Sequence, residues 1–203
     1  MTLARLDLLA FEHINASAGL AGWHLEVATL LAVWPVYLVP LSLVALWLSG
    51  AGAARIAAVR AVSCASLALL INQAIGLAWY RPRPFVLGLG HVFLAHAADS
   101  SFPSDHMTAL AATGIALWTS PARSARYVGI ALTAAGLVAG WARVFLGIHY
   151  PGDMLGALAI AALTVLAFSN AFGRLSCTWM TLRVESVYRR LLSRPIARRW
   201  IRA

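Results

Sequence analysis

The segment from Ala142 to Asp153 carries side chains suited to nucleophilic catalysis. Pro151 fits the first position of a helix, so Asp153 falls in the first helical turn, close enough to His149 to accept a hydrogen bond from one ring nitrogen. Such a bond fixes the tautomer and leaves the other nitrogen free as a base or nucleophile. Arg143 adds a guanidinium, whose planar fork of donors suits phosphate oxygens.

A second segment, Arg81-Pro82-Arg83-Pro84-Phe85, brings two guanidinium groups together. Each proline forces the arginine before it toward an extended backbone, so both arginines sit in a short, stiff stretch. The pair is suited to binding phosphate. The alternative is two arginines snorkelling at a helix end, and this segment alone does not separate the two.

The third segment, Ser101 to His106, predicts the start of a helix. Ser104 suits the N-cap, with Asp105 and His106 in the first turn. A helix N-terminus presents free N–H groups and the positive end of the helix dipole, which favours an anion. His106 would hold a proton near neutral pH if an anionic group, such as a bound phosphate, lay beside it.

Composition indicates that these segments are positioned by membrane helices. The chain has 203 residues, 61% hydrophobic and 11% charged, against about 45–50% apolar and about 25% charged in soluble domains. This excludes a soluble globular domain, and the high hydropathy also argues against nucleic acid as a partner despite a net charge of +9. Apolar runs of the length needed to cross a bilayer occur at 25–48, 56–79, 104–119, 127–146 and 153–172.

The predicted fold is all-α: a polytopic transmembrane helical bundle of about five spans forming a single membrane domain. Residues 1–23 are expected to form an interfacial helix, residues 24–172 the transmembrane core, and residues 173–203 a basic cytoplasmic tail. All 16 basic residues are arginines, and most fall at the face that holds the C-terminus. Arginine-rich short loops stay cytoplasmic, so the N-terminus is predicted outside and the C-terminus inside. The tail either anchors this orientation or also contacts anionic lipid head groups.

In this arrangement the three segments meet on the outer face of the membrane, where an anion site and a metal site are the competing interpretations. Three arginines in the same place would repel a divalent cation and hold a phosphate, so we expect no metal and no cofactor. The metal alternative would draw its ligands from His91, His96, His106, His149 and Asp153.

The motifs, taken in order, resemble a known family. Arg83-Pro84, then Pro103-Ser104-x-His106, then Arg143-x5-His149-x3-Asp153 is similar to the three-part signature of the type 2 phosphatidic acid phosphatase superfamily. Arg-Pro-Arg-Pro-Phe with Ser-Phe-Pro-Ser-Asp-His looks like its bacitracin-resistance-type undecaprenyl-diphosphate phosphatases. The resemblance covers about residues 72–156. The chain departs from the pattern at Gly76, where the family has Lys, at Asp105, where Gly is usual, and at Ala142, where Ser is common.

The resemblance implies roles for individual residues. His149 attacks the terminal phosphorus and forms a phosphohistidine, while Asp153 orients it. His106 protonates the leaving oxygen and then activates water. The residues implied in phosphate binding are Arg83, Arg143 and Ser104, with Arg81 as the substitute for the missing Lys and Asp105 as a further member.

The implied function is that of a membrane phosphohydrolase. It removes the terminal phosphate of a polyprenyl diphosphate at the outer face of a bacterial inner membrane and so recycles the lipid carrier for cell-wall synthesis. Two alternatives keep the same site: a lipid phosphotransferase, or a phosphatase acting on phosphatidylglycerol phosphate or lipid A. An anion-binding transporter is a third, and a paired His149 and Asp153 argue against it, because a carrier needs no oriented base.

Overall fold

The computed structural model describes residues 2–49, 52–193 and 196, and every regular element in that part of the chain is helical. The all-α prediction is therefore confirmed. The α-helices, numbered in chain order, are α1 Leu3–Ile14, α2 Gly22–Val33, α3 Leu38–Ser49, α4 Gly52–Ala78, α5 Asp105–Trp118, α6 Arg123–Phe145, α7 Pro151–Ala167 and α8 Ala171–Leu191. Short 3-10 helices lie at Trp34–Tyr37 and Pro84–Leu87.

Three of the helical segments in the described residues are long and apolar enough to cross a membrane. They are Gly22–Leu48, in which a 3-10 turn at Pro35 joins α2 to α3, together with α4 and α6. A fourth crossing is possible if α7 and α8 count as one span, although they are bent by 83° relative to each other. The span expected at 153–172 therefore ends as a continuous helix at Ala167.

The span expected at 104–119 is α5, which is shorter than a free-standing membrane helix. Its 14 residues rise about 21 Å, against about 30 Å of hydrocarbon. It packs on α4, α6 and α7, and most of its side chains are buried. Since protein rather than lipid surrounds it, α5 is the central helix of the bundle.

Glycines let α5 and α6 approach closely. A Cβ atom on Gly114 would lie 2.7 Å from the backbone nitrogen of Thr133, and one on Gly129 would lie 2.8 Å from the carbonyl carbon of Leu117. Such small residues allow helix backbones to pack against each other where no hydrophobic force drives association. The close crossing fixes α5 relative to α6 and so fixes the start of α5 relative to the end of α6.

The two terminal helices differ in how they meet the bundle. The interfacial helix expected over 1–23 is α1, which exposes Leu3, Leu6 and Leu9 but buries Phe11 completely, with its ring centroid 5.5 Å from that of Tyr150. The described part of the basic tail is α8, whose Glu185 accepts a 2.6 Å hydrogen bond from Arg55 of α4. The tail arginines Arg194, Arg198, Arg199 and Arg202 lie outside the described residues.

Candidate active site

The three segments that carry the predicted site residues meet around one cavity. Residues from the end of α4, the start of α5, the end of α6 and the segment just before α7 line it together. The cavity has a volume of about 290 Å³. Of the predicted site residues, those lining it are Arg83, Asp105, His106, Arg143 and His149.

His149 is buried and held at both ring nitrogens. Its Nδ1 lies 3.1 Å from Oδ2 of Asp153, and its Nε2 lies 3.0 Å from Nη1 of Arg83. A guanidinium only donates and a carboxylate only accepts, so the proton belongs on Nδ1 and the lone pair on Nε2. Burial, reinforced by Arg143 and Arg83, lowers the pKa of His149 well below its ordinary value. The arrangement therefore keeps His149 neutral, with a nucleophilic nitrogen beside a cation.

Asp153 has no exposed surface, and hydrogen-bond donors surround both of its oxygens. Oδ2, which faces His149, also accepts from the backbone N–H of Tyr150 at 2.8 Å and from the Ser101 hydroxyl at 2.5 Å. Oδ1 accepts from Nη1 of Arg81 at 2.7 Å. These bonds leave the carboxylate little freedom to turn, and they fix the face it presents to the imidazole ring.

Arg81 does not line the cavity, although the sequence placed it among the phosphate ligands. Its guanidinium bridges Asp153 and Asp7 of α1, at 2.7 and 2.5 Å, and lies over the ring of Tyr150, 4.2 Å from the centroid. The two carboxylates accept hydrogen bonds from its N–H groups, and the Tyr150 ring covers one face of its guanidinium plane. Arg81 thus supports Asp153 from behind and is not among the residues that line the cavity.

Arg83 and Arg143 are almost wholly buried, at 4% and 3% exposure. Arg83 donates from Nη1 to the carbonyl of Ile148 at 2.8 Å, and Arg143 donates to the carbonyl of Ala32 at 3.3 Å. Nε of Arg143 is buried without a hydrogen-bond partner among the described residues. The unused Nε donor of Arg143, together with the buried guanidinium of Arg83, suits an anion with several oxygens.

The connection between Pro84 and Ser101 covers these two arginines. Asp99 accepts a 2.8 Å hydrogen bond from Nε of Arg83, and Nε2 of His96 lies 3.1 Å from Nη2 of Arg143. Burial lowers the pKa of His96 below its ordinary value, in keeping with a neutral ring that accepts from the guanidinium. The loop is therefore part of the cavity wall, and its polar side chains stand where phosphate oxygens would compete for the same donors.

The start of α5 agrees with the sequence in its backbone and differs in its side chains. Ser104 is the N-cap residue, but its hydroxyl makes no capping bond and is buried with no hydrogen-bond partner in the described part of the chain. Asp105 was expected to bind phosphate; instead it accepts hydrogen bonds from Asn72 at 2.9 Å and Gln73 at 3.0 Å. An ionised carboxylate cannot donate to phosphate, so Asp105 is better described as a tie between α5 and α4.

Several polar residues around the site had no role in the sequence-based interpretation. Their contacts come from parts of the chain far apart in sequence, and no local spacing marks them; Ser101 alone lies within a motif quoted above. Among the residues described, no three or more His, Cys, Asp or Glu side chains are grouped as a metal site requires. The residues that were missed are Asp7, Asn72, Gln73, Asp99 and Ser101.

Comparison with known proteins gives consistent matches. The family model described as the PAP2 superfamily matches residues 57–177. The chain is 34% identical to the putative undecaprenyl-diphosphatase YbjG of Escherichia coli (strain K12), over 98% of this chain and 99% of that protein. It is 36% identical to the undecaprenyl-diphosphatase BcrC of Bacillus subtilis (strain 168), over 76% of this chain and 79% of the other.

The fold also matches a solved membrane protein. The crystal structure of a transmembrane PAP2-type phosphatidylglycerolphosphate phosphatase from Bacillus subtilis has a TM-score of 0.60 to this chain, with 21% sequence identity. The match covers 82% of this chain and 85% of that one. At this identity the likeness concerns the arrangement of helices.

Proposed function

The chain belongs to the PAP2 superfamily, and from that membership we propose that it is an integral membrane undecaprenyl-diphosphate phosphatase. The substrate is suggested by the two relatives named as undecaprenyl-diphosphatases, one of them matched over almost its full length. The reaction releases inorganic phosphate and leaves undecaprenyl phosphate, the lipid carrier that cell-wall synthesis reuses.

One observation carries the chemistry: Asp153 lies 3.1 Å behind Nδ1 of His149, which assigns the proton to Nδ1 and the lone pair to Nε2. Nε2 attacks the terminal phosphorus, a nitrogen–phosphorus bond forms, and the bond between that phosphorus and the bridging oxygen breaks. The ring becomes positively charged in this step, and the carboxylate of Asp153 stabilises it. The product of the first half-reaction is a phosphohistidine.

His106 completes the cycle as the general acid and base. It lines the same cavity as His149. In the first step it gives its proton to the bridging oxygen of the departing undecaprenyl phosphate. In the second it takes a proton from water, whose oxygen attacks the phosphohistidine, so that phosphate leaves and both histidines return to their starting state. Proton transfer of this kind contributes about 10²–10⁴-fold to a rate.

The buried arginines stabilise the charge that develops on the transferring group. In a loose in-line transfer the negative charge spreads over the three equatorial oxygens. Arg83 and Arg143, which line the cavity, supply donors there. Ser104, between the lining residues Pro103 and Asp105, adds a hydroxyl that has no partner among the described residues, and the first-turn amides of α5 add the positive end of a helix dipole. Asp99 and His96 release the arginine donors when phosphate arrives.

The proposed location is the outer face of a bacterial inner membrane, with the C-terminus in the cytoplasm. The support is the charge pattern: Arg55 and Arg60 lie near the start of α4, and Arg123 and Arg126 near the start of α6, whereas the cavity is lined by the far ends of these helices. The diphosphate would then meet the site from the outer leaflet.

The test is phosphate release from undecaprenyl diphosphate by the purified protein in detergent, compared with phosphatidic acid and phosphatidylglycerol phosphate. We expect undecaprenyl diphosphate to give the highest kcat/KM. His149→Ala should abolish turnover, whereas His13→Ala, which removes an exposed histidine on α1, should leave it unchanged. Vanadate, which adopts five-coordinate geometry, should inhibit. Turnover by the His149 variant, or preference for another lipid, would overturn the mechanism or the substrate respectively.

A further inference from the structure

The N-terminal helix reaches the candidate active site through one carboxylate, Asp7. Oδ2 of Asp7 accepts a 2.5 Å hydrogen bond from Nη2 of Arg81, and Oδ1 accepts a 2.6 Å bond from the backbone N–H of Gly152. Gly152 lies in the first turn of α7, directly before Asp153. One side chain of α1 thus binds both the arginine that supports Asp153 and the backbone that carries it.

The approach between Asp7 and α7 depends on a glycine. A Cβ atom at position 152 would lie 2.7 Å from Oδ2 of Asp7, too close for any side chain to be accommodated without movement. The contact is also enclosed, because the side chain of Asp7 is only 14% exposed and that of Arg81 21%. Phe11, one turn further along α1, packs on Tyr150 and keeps the helix in place.

We propose that Asp7 is a positioning residue of the active site, acting on Asp153 through Arg81. The proposal rests on the function proposed above. Arg81 donates Nη1 to Asp153 and Nη2 to Asp7, so its guanidinium plane is fixed by a carboxylate on each side. Because two carboxylates share one guanidinium, the cluster retains a net negative charge. Without Asp7, Arg81 would neutralise Asp153 and weaken its stabilisation of the charged ring of His149.

This arrangement predicts a specific kinetic signature. Asp7 does not line the cavity, so Asp7→Asn should lower kcat by about 10-fold, in line with the loss of one charge-assisted hydrogen bond, and change KM by less than about twofold. The matched control is Glu12→Gln, which removes the same charge from the same helix at an exposed position and should leave kcat unchanged.

A double-mutant cycle distinguishes positioning through Arg81 from a general structural role. If Asp7 acts through Arg81, then Asp7→Asn should cost less than about twofold in kcat in an Arg81→Gln background. Asp7→Glu, which keeps the charge, should recover part of the loss. Thermal unfolding in detergent shows whether each variant is folded. If Asp7→Asn does not fold, the cycle is run with Asp7→Glu instead. Asp7→Glu should then lower activity when Arg81 is present and have no further effect in the Arg81→Gln background.

The outcomes separate this inference from the proposed function. If the wild-type protein does not release phosphate from undecaprenyl diphosphate, the proposed function fails. If the wild-type protein is active and the folded Asp7→Asn variant has the same kcat as wild type, only the role of Asp7 is overturned. The same conclusion follows if the losses in kcat of Asp7→Asn and Arg81→Gln multiply in the double variant. A raised KM with unchanged kcat also overturns it, because that result would place Asp7 in substrate binding.

Discussion

Asp153→Asn is a demanding test of the proposed chemistry, because it changes charge and hydrogen-bonding capacity with almost no change of shape. Four donors point at the carboxylate: Nη1 of Arg81 on Oδ1, and Ser101, the Tyr150 amide and His149 Nδ1 on Oδ2. An amide has one oxygen and one NH₂ group. At one of the two carboxylate oxygen positions, the NH₂ group of the amide must therefore face another hydrogen-bond donor.

Each orientation disturbs the site differently. If the NH₂ group faces Arg81, it lies about 2.7 Å from that guanidinium, which keeps Asp7 as its other carboxylate partner. If it faces His149, it also opposes the Tyr150 backbone N–H, and the ring can respond by moving its proton from Nδ1 to Nε2, the nitrogen that must attack phosphorus. Both orientations remove the negative charge that stabilises the charged ring of His149.

The expected loss, from the missing negative charge and from the wrong tautomer of His149, is about 10⁴-fold in kcat, equivalent to about 5.5 kcal/mol of transition-state stabilisation. The assay is phosphate release at saturating undecaprenyl diphosphate, with trapping of phosphohistidine by rapid denaturation in base. Asp105→Asn is the comparison, because it removes a carboxylate that lines the cavity but bonds to Asn72 and Gln73, and it should cost less than about 10-fold. Asp153→Asn protein that keeps its kcat within 10-fold of wild type would refute the tautomer argument.

The other expectations can be checked in the same preparation. Burial and two arginines lower the pKa of His149, so the protonation that inactivates it occurs in acid. Arg83→Gln removes one of these cations, which should raise the pKa of His149 and move the acid limb of the kcat/KM profile to higher pH. An acid limb that stays at the same pH would contradict this expectation. Ser104→Ala should lower kcat/KM by about 2- to 12-fold without lowering the unfolding temperature, since its hydroxyl has no hydrogen-bond partner among the described residues to lose. Gly129→Val should destabilise the fold by about 1–3 kcal/mol by overpacking the α5–α6 crossing. Gly19→Val is the control, because a side chain at that position meets open space. Equal unfolding temperatures for the two variants would count against the close α5–α6 packing. Activity should persist in a chelator, and rescue of lost activity by zinc or magnesium would restore the metal alternative.

The sequence predicted the parts of the site whose chemistry is encoded locally. Pro151 at the first position of α7 places Asp153 in the first turn, and its carboxylate reaches back past the N-cap Tyr150 to His149. The N-cap at Ser104 follows from the same kind of rule. The all-helical membrane fold follows from hydropathy, because apolar runs of this length have few other structures open to them.

The assignments that changed depend on contacts between distant segments. Arg81 was expected to bind phosphate as the substitute for the family's Lys, but it is held by Asp7, which comes from another helix. Asp105 was placed with the phosphate ligands because of its position in a motif. Its carboxylate instead accepts hydrogen bonds from Asn72 and Gln73, which lie in an apolar helix. Hydropathy also overestimated the reach of α5, since it measures apolar composition and does not distinguish a lipid-facing helix from one enclosed by other helices.

The small size of the cavity bears on how the protein treats its lipid. About 290 Å³ lies at the lower end of the range for small-molecule pockets, enough for a diphosphate and the first carbons of an isoprenoid. One wall includes Leu77, which is 90% exposed on the outside of the bundle. The remainder of a long prenyl tail would stay dissolved among the acyl chains of the leaflet, so shorter polyprenyl diphosphates that still partition into the bilayer should be cleaved about as fast as the full-length carrier.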